Sequence, residues 1–90
     1  MYRIRYDVRV AEDIKRIDGS VKKEIRAAIE SKLGTRPEIF GKPLRQSLTG
    51  LRVLRVSNYR VIFQLKKNGI LVLLIGNRAS IYREAQERFE

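Results

Sequence analysis

The chain has 90 residues, enough for one domain over residues 1–90 and too few for two. It contains no cysteine and no histidine, which excludes disulfides, thiolate nucleophiles, histidine general bases and the usual ligand sets for structural zinc. Its net charge of +10 is concentrated: from Ile39 to Arg83 there is no Asp or Glu, against Lys42, Arg45, Arg52, Arg55, Arg60, Lys66, Lys67, Arg78 and Arg83, so a polyanion or an acidic protein is the expected partner.

Tyr2, Ile4, Tyr6 and Val8 alternate with Arg3, Arg5, Asp7 and Arg9, the period of two that marks a strand with one buried face. The same stretch, Met1 to Arg9, lacks the uninterrupted apolar run of a signal peptide, so a cytoplasmic protein with no membrane partner is expected. Val10, Ile14 and Ile17 recur at helical spacing until Asp18 and Gly19 interrupt. Ser20 can then cap a second helix with the stripe Val21, Ile25, Ala28, Ile29 and Leu33, stopped by Gly34 at C′. Thr35 to Pro43, with two prolines and a glycine, reads as a loop.

Three strand-like runs follow. Leu51–Val56 leads through a turn at Ser57 and Asn58 to Tyr59–Lys66. Asn68 and Gly69 then give a type I′ hairpin signal before Ile70–Ile75, which is apolar at every position and suits a central strand. Ala79–Phe89 closes the chain as a helix with Ile81, Ala85 and Phe89 on one face. The expected class is α+β: two N-terminal helices and a C-terminal helix on a small, mainly antiparallel four-stranded sheet, in the order β-α-α-β-β-β-α. Alternation puts Arg60, Ile62, Gln64 and Lys66 on one face of their strand, away from Tyr59, Val61, Phe63 and Leu65. Tyr2, Tyr6 and Tyr59 read as packing residues.

That order, with Lys42-Pro43-Leu44-Arg45, the run Leu51-Arg52-Val53-Leu54-Arg55-Val56-Ser57-Asn58-Tyr59-Arg60-Val61-Ile62-Phe63, and Gly76-Asn77-Arg78 followed by Tyr82, resembles the RelE/ParE superfamily of toxins from type II toxin-antitoxin systems, and most of all its RelE branch. The resemblance covers nearly the whole chain. It implies a RelE-like fold and a ribosome-associated endoribonuclease that cuts mRNA and so blocks translation, needing no metal or other cofactor and leaving a 2′,3′-cyclic phosphate. It also implies a cognate antitoxin with an acidic or amphipathic wrapping segment, and contact with operator DNA only as the toxin-antitoxin complex.

By motif, the resemblance gives catalytic roles to Arg60, Arg78 and Tyr82 and matches Arg45 to a basic residue before the meander. Arginine suits charge stabilisation on a pentacoordinate phosphate, since its planar fork donates two fixed bonds to phosphate oxygens. Tyr82 follows Arg78 by four residues, and a helix starting by Ala79 would let the two approach. On spacing alone Tyr82 reads as a tyrosine closing the core edge; the motif gives it proton transfer or base stacking. Lys42, Arg45, Arg52 and Arg55 read as RNA-phosphate contacts, each equally an ordinary exposed charge when taken singly. One departure stands out: some RelE members carry two lysines on the first meander strand, where an ungapped reading puts Leu51 and Val53. Arg52 and Arg55 can replace their charge, and the identity of the general base stays open. Two other readings remain open, a ParE-like inhibitor of DNA gyrase and a non-catalytic RNA-binding module.

Overall fold

The alternating N-terminal segment forms β1 (Arg3–Tyr6) in a computed structural model that describes residues 2–89; Met1 and Glu90, the ends of the expected domain, lie outside the described residues. The chain continues through α1 (Val10–Asp13), α2 (Gly19–Ala28), α3 (Pro37–Phe40), β2 (Lys42–Pro43), β3 (Arg52–Val56), β4 (Tyr59–Lys66), β5 (Gly69–Asn77) and α4 (Ile81–Phe89). The strands form one sheet in the order β1-β5-β4-β3-β2, with β1 parallel to β5 and the other pairs antiparallel.

The class is the expected α+β, with a fifth strand. Lys42 and Pro43 pair with Val53 and Arg52 at the sheet edge, a position that tolerates a proline because no further strand needs its missing N–H. The expected loop before them holds a one-turn helix with Pro37 at its start, where a proline costs no hydrogen bond.

The helical hairpin is shorter than its stripe suggests. α1 makes a single turn, and Ile17 reaches the core from the connection that follows. Asp18, not Ser20, caps α2, its carboxylate accepting from the Ser20 N–H; that hydroxyl and backbone hold the Asp18 pKa below the usual carboxylate range. A π turn over Ile29–Leu33 widens the last turn. Residues four apart drift around an ideal α-helix, and the wider turn corrects the drift, so Ile25, Ile29 and Leu33 all point inward. Gly34 ends this segment in a right-handed conformation, not as a left-handed C′ residue.

Two apolar clusters sandwich the sheet. One joins Val10, Ile17, Ile25, Ile29 and Leu33 to Leu54, Val56, Val61, Phe63, Ile70, Val72 and Ile75, with Tyr2 and Tyr59 packed at its margin. Phe63 has no exposed surface, and burial of such a ring stabilises by roughly 1.5–3 kcal/mol. The other joins Ile81 and Ala85 of α4 to Leu48, Val53, Ile62 and Leu74. The face of β4 that carries Arg60 is therefore covered by α4 over its middle. Tyr6 and Val8 depart from the expected core, being 44% and 88% exposed, because β1 ends at Tyr6 and the chain turns away.

β5 is central and buried as its composition suggests, with one irregularity. Phe63 pairs with Val72 and Ile62 with Leu74, leaving Leu73 as the extra residue of a bulge. The β4–β5 turn is Lys67 and Asn68, neither with positive φ, so the type I′ expectation fails. Gly69 lies inside β5 instead, where a Cβ would stand 2.6 Å from the Arg3 carbonyl oxygen; the close approach of β1 requires a glycine there.

Candidate functional site

At the end of the sheet where β3 turns into β4 and β5 runs into α4, Lys42, Val53, Arg55, Arg60, Arg78, Ala79 and Tyr82 line an open groove of about 410 Å³. Strand register gathers them. Lys42 lies opposite Val53, Arg55 opposite Arg60, and Arg60 opposite Gly76, so the three basic residues from three strands share one face. Arg78 and Tyr82 arrive from beyond β5 and from the first turn of α4. Three arginines, a lysine and a phenol thus face one space, and no carboxylate is among the residues that line it.

Each side chain is held differently. Arg60 is buried, and its Nη1 donates to the carbonyls of Ser57 at 3.1 Å and Tyr59 at 2.8 Å. Ser57 has φ of +55°, so Arg60 ties down a strained turn as well as reaching the groove. Arg78 is exposed, and its backbone N–H donates to the Asn58 carbonyl at 2.9 Å, fixing the link between β5 and α4 against the neighbouring hairpin. The Asn77 side chain accepts from the Ala79 N–H at 2.8 Å, an Asx turn that reverses the chain before α4. α4 starts at Ile81, not Ala79, so Arg78 and Tyr82 approach across the turn and not along a helix. The absence of a side chain at Gly76 leaves room for α4, since a Cβ there would meet Ile81 Cδ1 and Glu84 Oε1 at 3.0 Å.

Of the seven residues singled out from sequence, Lys42, Arg55, Arg60, Arg78 and Tyr82 are brought together, and Arg45 and Arg52 are not. Arg52 faces the opposite side of the sheet, paired with Phe63, and its Nη1 donates to the Gly41 carbonyl at 2.8 Å. Arg45 is exposed at the start of a short 3₁₀ turn and does not line the groove. The positioning residues Asn58, Asn77 and Gly76 were not singled out. Asn77, two residues before a helix-entry N–H, carries a signal for that role; the Asn58 contact depends on tertiary approach and has none. The groove floor at Val53 is apolar, and Leu51 packs with the α4 cluster, so neither position supplies an amine. Among the described residues no three His, Cys, Asp or Glu side chains cluster as a metal site, and no helix is long and apolar enough to cross a membrane.

Comparison with known proteins gives a consistent family. The model of the ParE toxin of the type II toxin-antitoxin system parDE matches residues 2–82. No curated protein matches the sequence. Among solved structures, the toxin-antitoxin complex RelBE2 from Mycobacterium tuberculosis contains a chain of similar fold with TM-score 0.81 and 22% identity, over 87% of this chain and 92% of that one. The isolated RelE toxin of E. coli aligns over 100% of both chains with TM-score 0.68 and 22% identity. YafQ from E. coli aligns with TM-score 0.64 and 19% identity, over 91% of this chain and 99% of that one.

Proposed function

The chain belongs to the ParE toxin family of type II toxin-antitoxin systems, and from that premise we propose that it is an endoribonuclease of the RelE kind, cutting ribosome-bound mRNA without a metal. The observation that carries this reading is the groove of Lys42, Arg55, Arg60, Arg78 and Tyr82, which joins several cations to a phenolic hydroxyl at one sheet end. In the reaction the RNA 2′-oxygen loses its proton and attacks phosphorus. A bond from phosphorus to the 2′-oxygen forms, the bond to the 5′-oxygen breaks, and that oxygen takes up a proton. Exposed Arg78 holds the non-bridging oxygens as charge builds on them, and Arg55 and the outer nitrogen of Arg60 hold the flanking phosphates. The candidates in the groove for moving the protons are the Lys42 amine and the Tyr82 hydroxyl. Lys42 sits opposite Val53, so β2 brings an amine beside the floor position where β3 has none.

The partner that controls such a toxin is an antitoxin, and the similar folds solved with one are complexes of that kind. A groove of about 550 Å³ between β1, α1 and α2, with Val8, Val10, Ile14 and Ile25 along it and Lys22, Lys23 and Arg26 on its rim, suits a segment of apolar anchors interleaved with acids.

The family description also names ParE, which favours a second reading, inhibition of DNA gyrase. Expression without an antitoxin, followed by mapping of RNA ends and DNA breaks, separates the two. Growth arrest with cut mRNA, and cleavage of mRNA bound to programmed ribosomes in vitro, supports the nuclease. Arrest with intact mRNA and broken DNA replaces it with the gyrase reading.

A further inference from the structure

Four cations of this chain are paired with acids: Arg9 with Asp7, Lys15 with Glu12, Arg26 with Glu30 and Arg88 with Asp13. Arg3, Arg5 and Lys66 are exposed and, among the described residues, make no ion pair and no side-chain hydrogen bond. They are nonetheless gathered. Arg3 lies beside Gly69 and Arg5 beside Leu71 on β5, and Gly69 lies beside Lys66 on β4, so all three stand on one face of three adjacent strands. Together with Tyr6, Asn68 and Leu71 they line a groove of about 770 Å³ that contains no acid.

Like charges set side by side without a counter-charge repel, and a structure that keeps them so has a polyanion as the natural complement. The groove lies on the same sheet face as Lys42, Arg55 and Arg60, because β4 alternates without interruption from Arg60 to Lys66. Six residues of strand separate those two, about 20 Å, and α4 lies between. Tyr6, 44% exposed at the end of β1, borders the second groove.

We propose that Arg3, Arg5 and Lys66 form a second phosphate-binding groove, which holds the backbone of the same single-stranded RNA that enters the Arg78 groove, on the far side of α4. The site is one of attachment and not of chemistry. It extends the functional reading above, since it takes RNA as the ligand, but it does not depend on turnover.

The test is equilibrium binding by fluorescence anisotropy, over a range of salt, of two unstructured RNAs of about four and about sixteen nucleotides. The long RNA is expected to bind the native protein more tightly, with a steeper salt dependence. The variant Arg3→Gln/Arg5→Gln/Lys66→Gln, which removes the charges and keeps polar side chains, should lower the slope of log K against log salt for the long RNA by about 2, at about 0.7 per phosphate contact, and leave the short RNA unaffected. In the native protein, the long RNA and not the short one should protect Lys66 from amine acylation, a readout that needs no variant. Equal slopes for the two RNAs, an equal loss on both in the variant, or an unprotected Lys66 would each overturn the groove as an RNA site; a salt-insensitive gain with length would do the same and leave this face to a protein partner. If these binding results hold while no RNA is cut, the nuclease reading falls and the groove stands.

Discussion

Arg60 and Arg78 both reach the candidate groove, yet substituting them should have opposite signatures. Arg60→Ala leaves the Ser57 and Tyr59 carbonyls without their donor beside a buried position, and hydrogen bonds from charged groups contribute about 1.5–3 kcal/mol each, so a clear drop in urea midpoint is expected. Arg78→Ala removes an exposed side chain whose backbone alone does the structural work, so stability should hold while the cleavage rate falls about 10²-fold. If both lose stability alike, Arg78 has been assigned the wrong role. Lys42→Arg tests the proton-moving amine. It keeps the charge and replaces the amine by a guanidinium, which does not give up its proton, so single-turnover cleavage should fall while RNA affinity stays; unchanged turnover would leave proton transfer to Tyr82. Sequence alone could nominate Arg60, Arg78, Tyr82, Lys42 and Arg55, because strand alternation and motif spacing are local. Alternation puts Arg52 and Arg55 on opposite faces of β3, and which of them shares a face with Arg60 depends on how β3 registers against β4.

The short elements leave the least trace in the sequence. Strong alternation or unbroken apolarity marked β1, β3, β4, β5 and α4, whereas a two-residue β2 and one-turn α1 and α3 have too few residues for any period to show. The bulge at Leu73 also left no local mark, and a long-range contact compensates for it. Arg88 of α4 donates to the Leu73 carbonyl at 3.0 Å and to both Asp13 carboxylate oxygens, while Asp13 accepts from the Ile75 N–H at 3.2 Å. α1, the irregular stretch of β5 and the end of α4 are thereby fastened at one point, with Asp13 only 7% exposed. Removing one partner of such a pair costs roughly 3–5 kcal/mol when it is fully buried, and Arg88 is partly exposed, so Asp13→Asn should come in at the low end of that range. Asp13→Leu/Arg88→Met should recover only part of the loss, because the Leu73 and Ile75 backbone groups stay unpartnered; full recovery in a double-mutant cycle would contradict the fastening role. Native-state hydrogen exchange should quicken along α4 in both variants. The turn ahead of α1 supplies a pH signature. Hydrogen bonds from the Arg9 side chain and backbone lower the Asp7 pKa to about 2. A carboxylate depressed in the folded state contributes stability above its unfolded value of about 4, and that contribution is lost as pH falls through about 2. Asp7→Asn should therefore flatten the acid limb of the stability curve over that window, and an unchanged limb would remove Asp7 from the account.

Across the whole molecule, unpaired cations gather at both ends of the sheet face bearing α4, and the apolar groove between β1, α1 and α2 has a basic rim. The acid-free half of the sequence foretold the excess, but not that Arg3 and Arg5 would join it, because their partner Lys66 is more than sixty residues away and meets them only through β5. This arrangement makes a specific statement about encounter with an antitoxin. An acidic segment approaching a +10 chain is drawn by the field of the whole molecule, whereas its residence depends on apolar anchors seated along Val8, Val10, Ile14 and Ile25. The association rate should fall steeply as salt rises and the Debye length shrinks from about 10 Å at 0.1 M toward about 3 Å at 1 M, while the dissociation rate changes little. Val8→Asp, at a side chain 88% exposed and outside the core, should have the reverse effect, speeding dissociation with little change in folding stability. Stopped-flow mixing with the cognate antitoxin measures both rates. If salt alters dissociation and leaves association untouched, or if Val8→Asp is silent in dissociation, the apolar groove is not where the antitoxin sits.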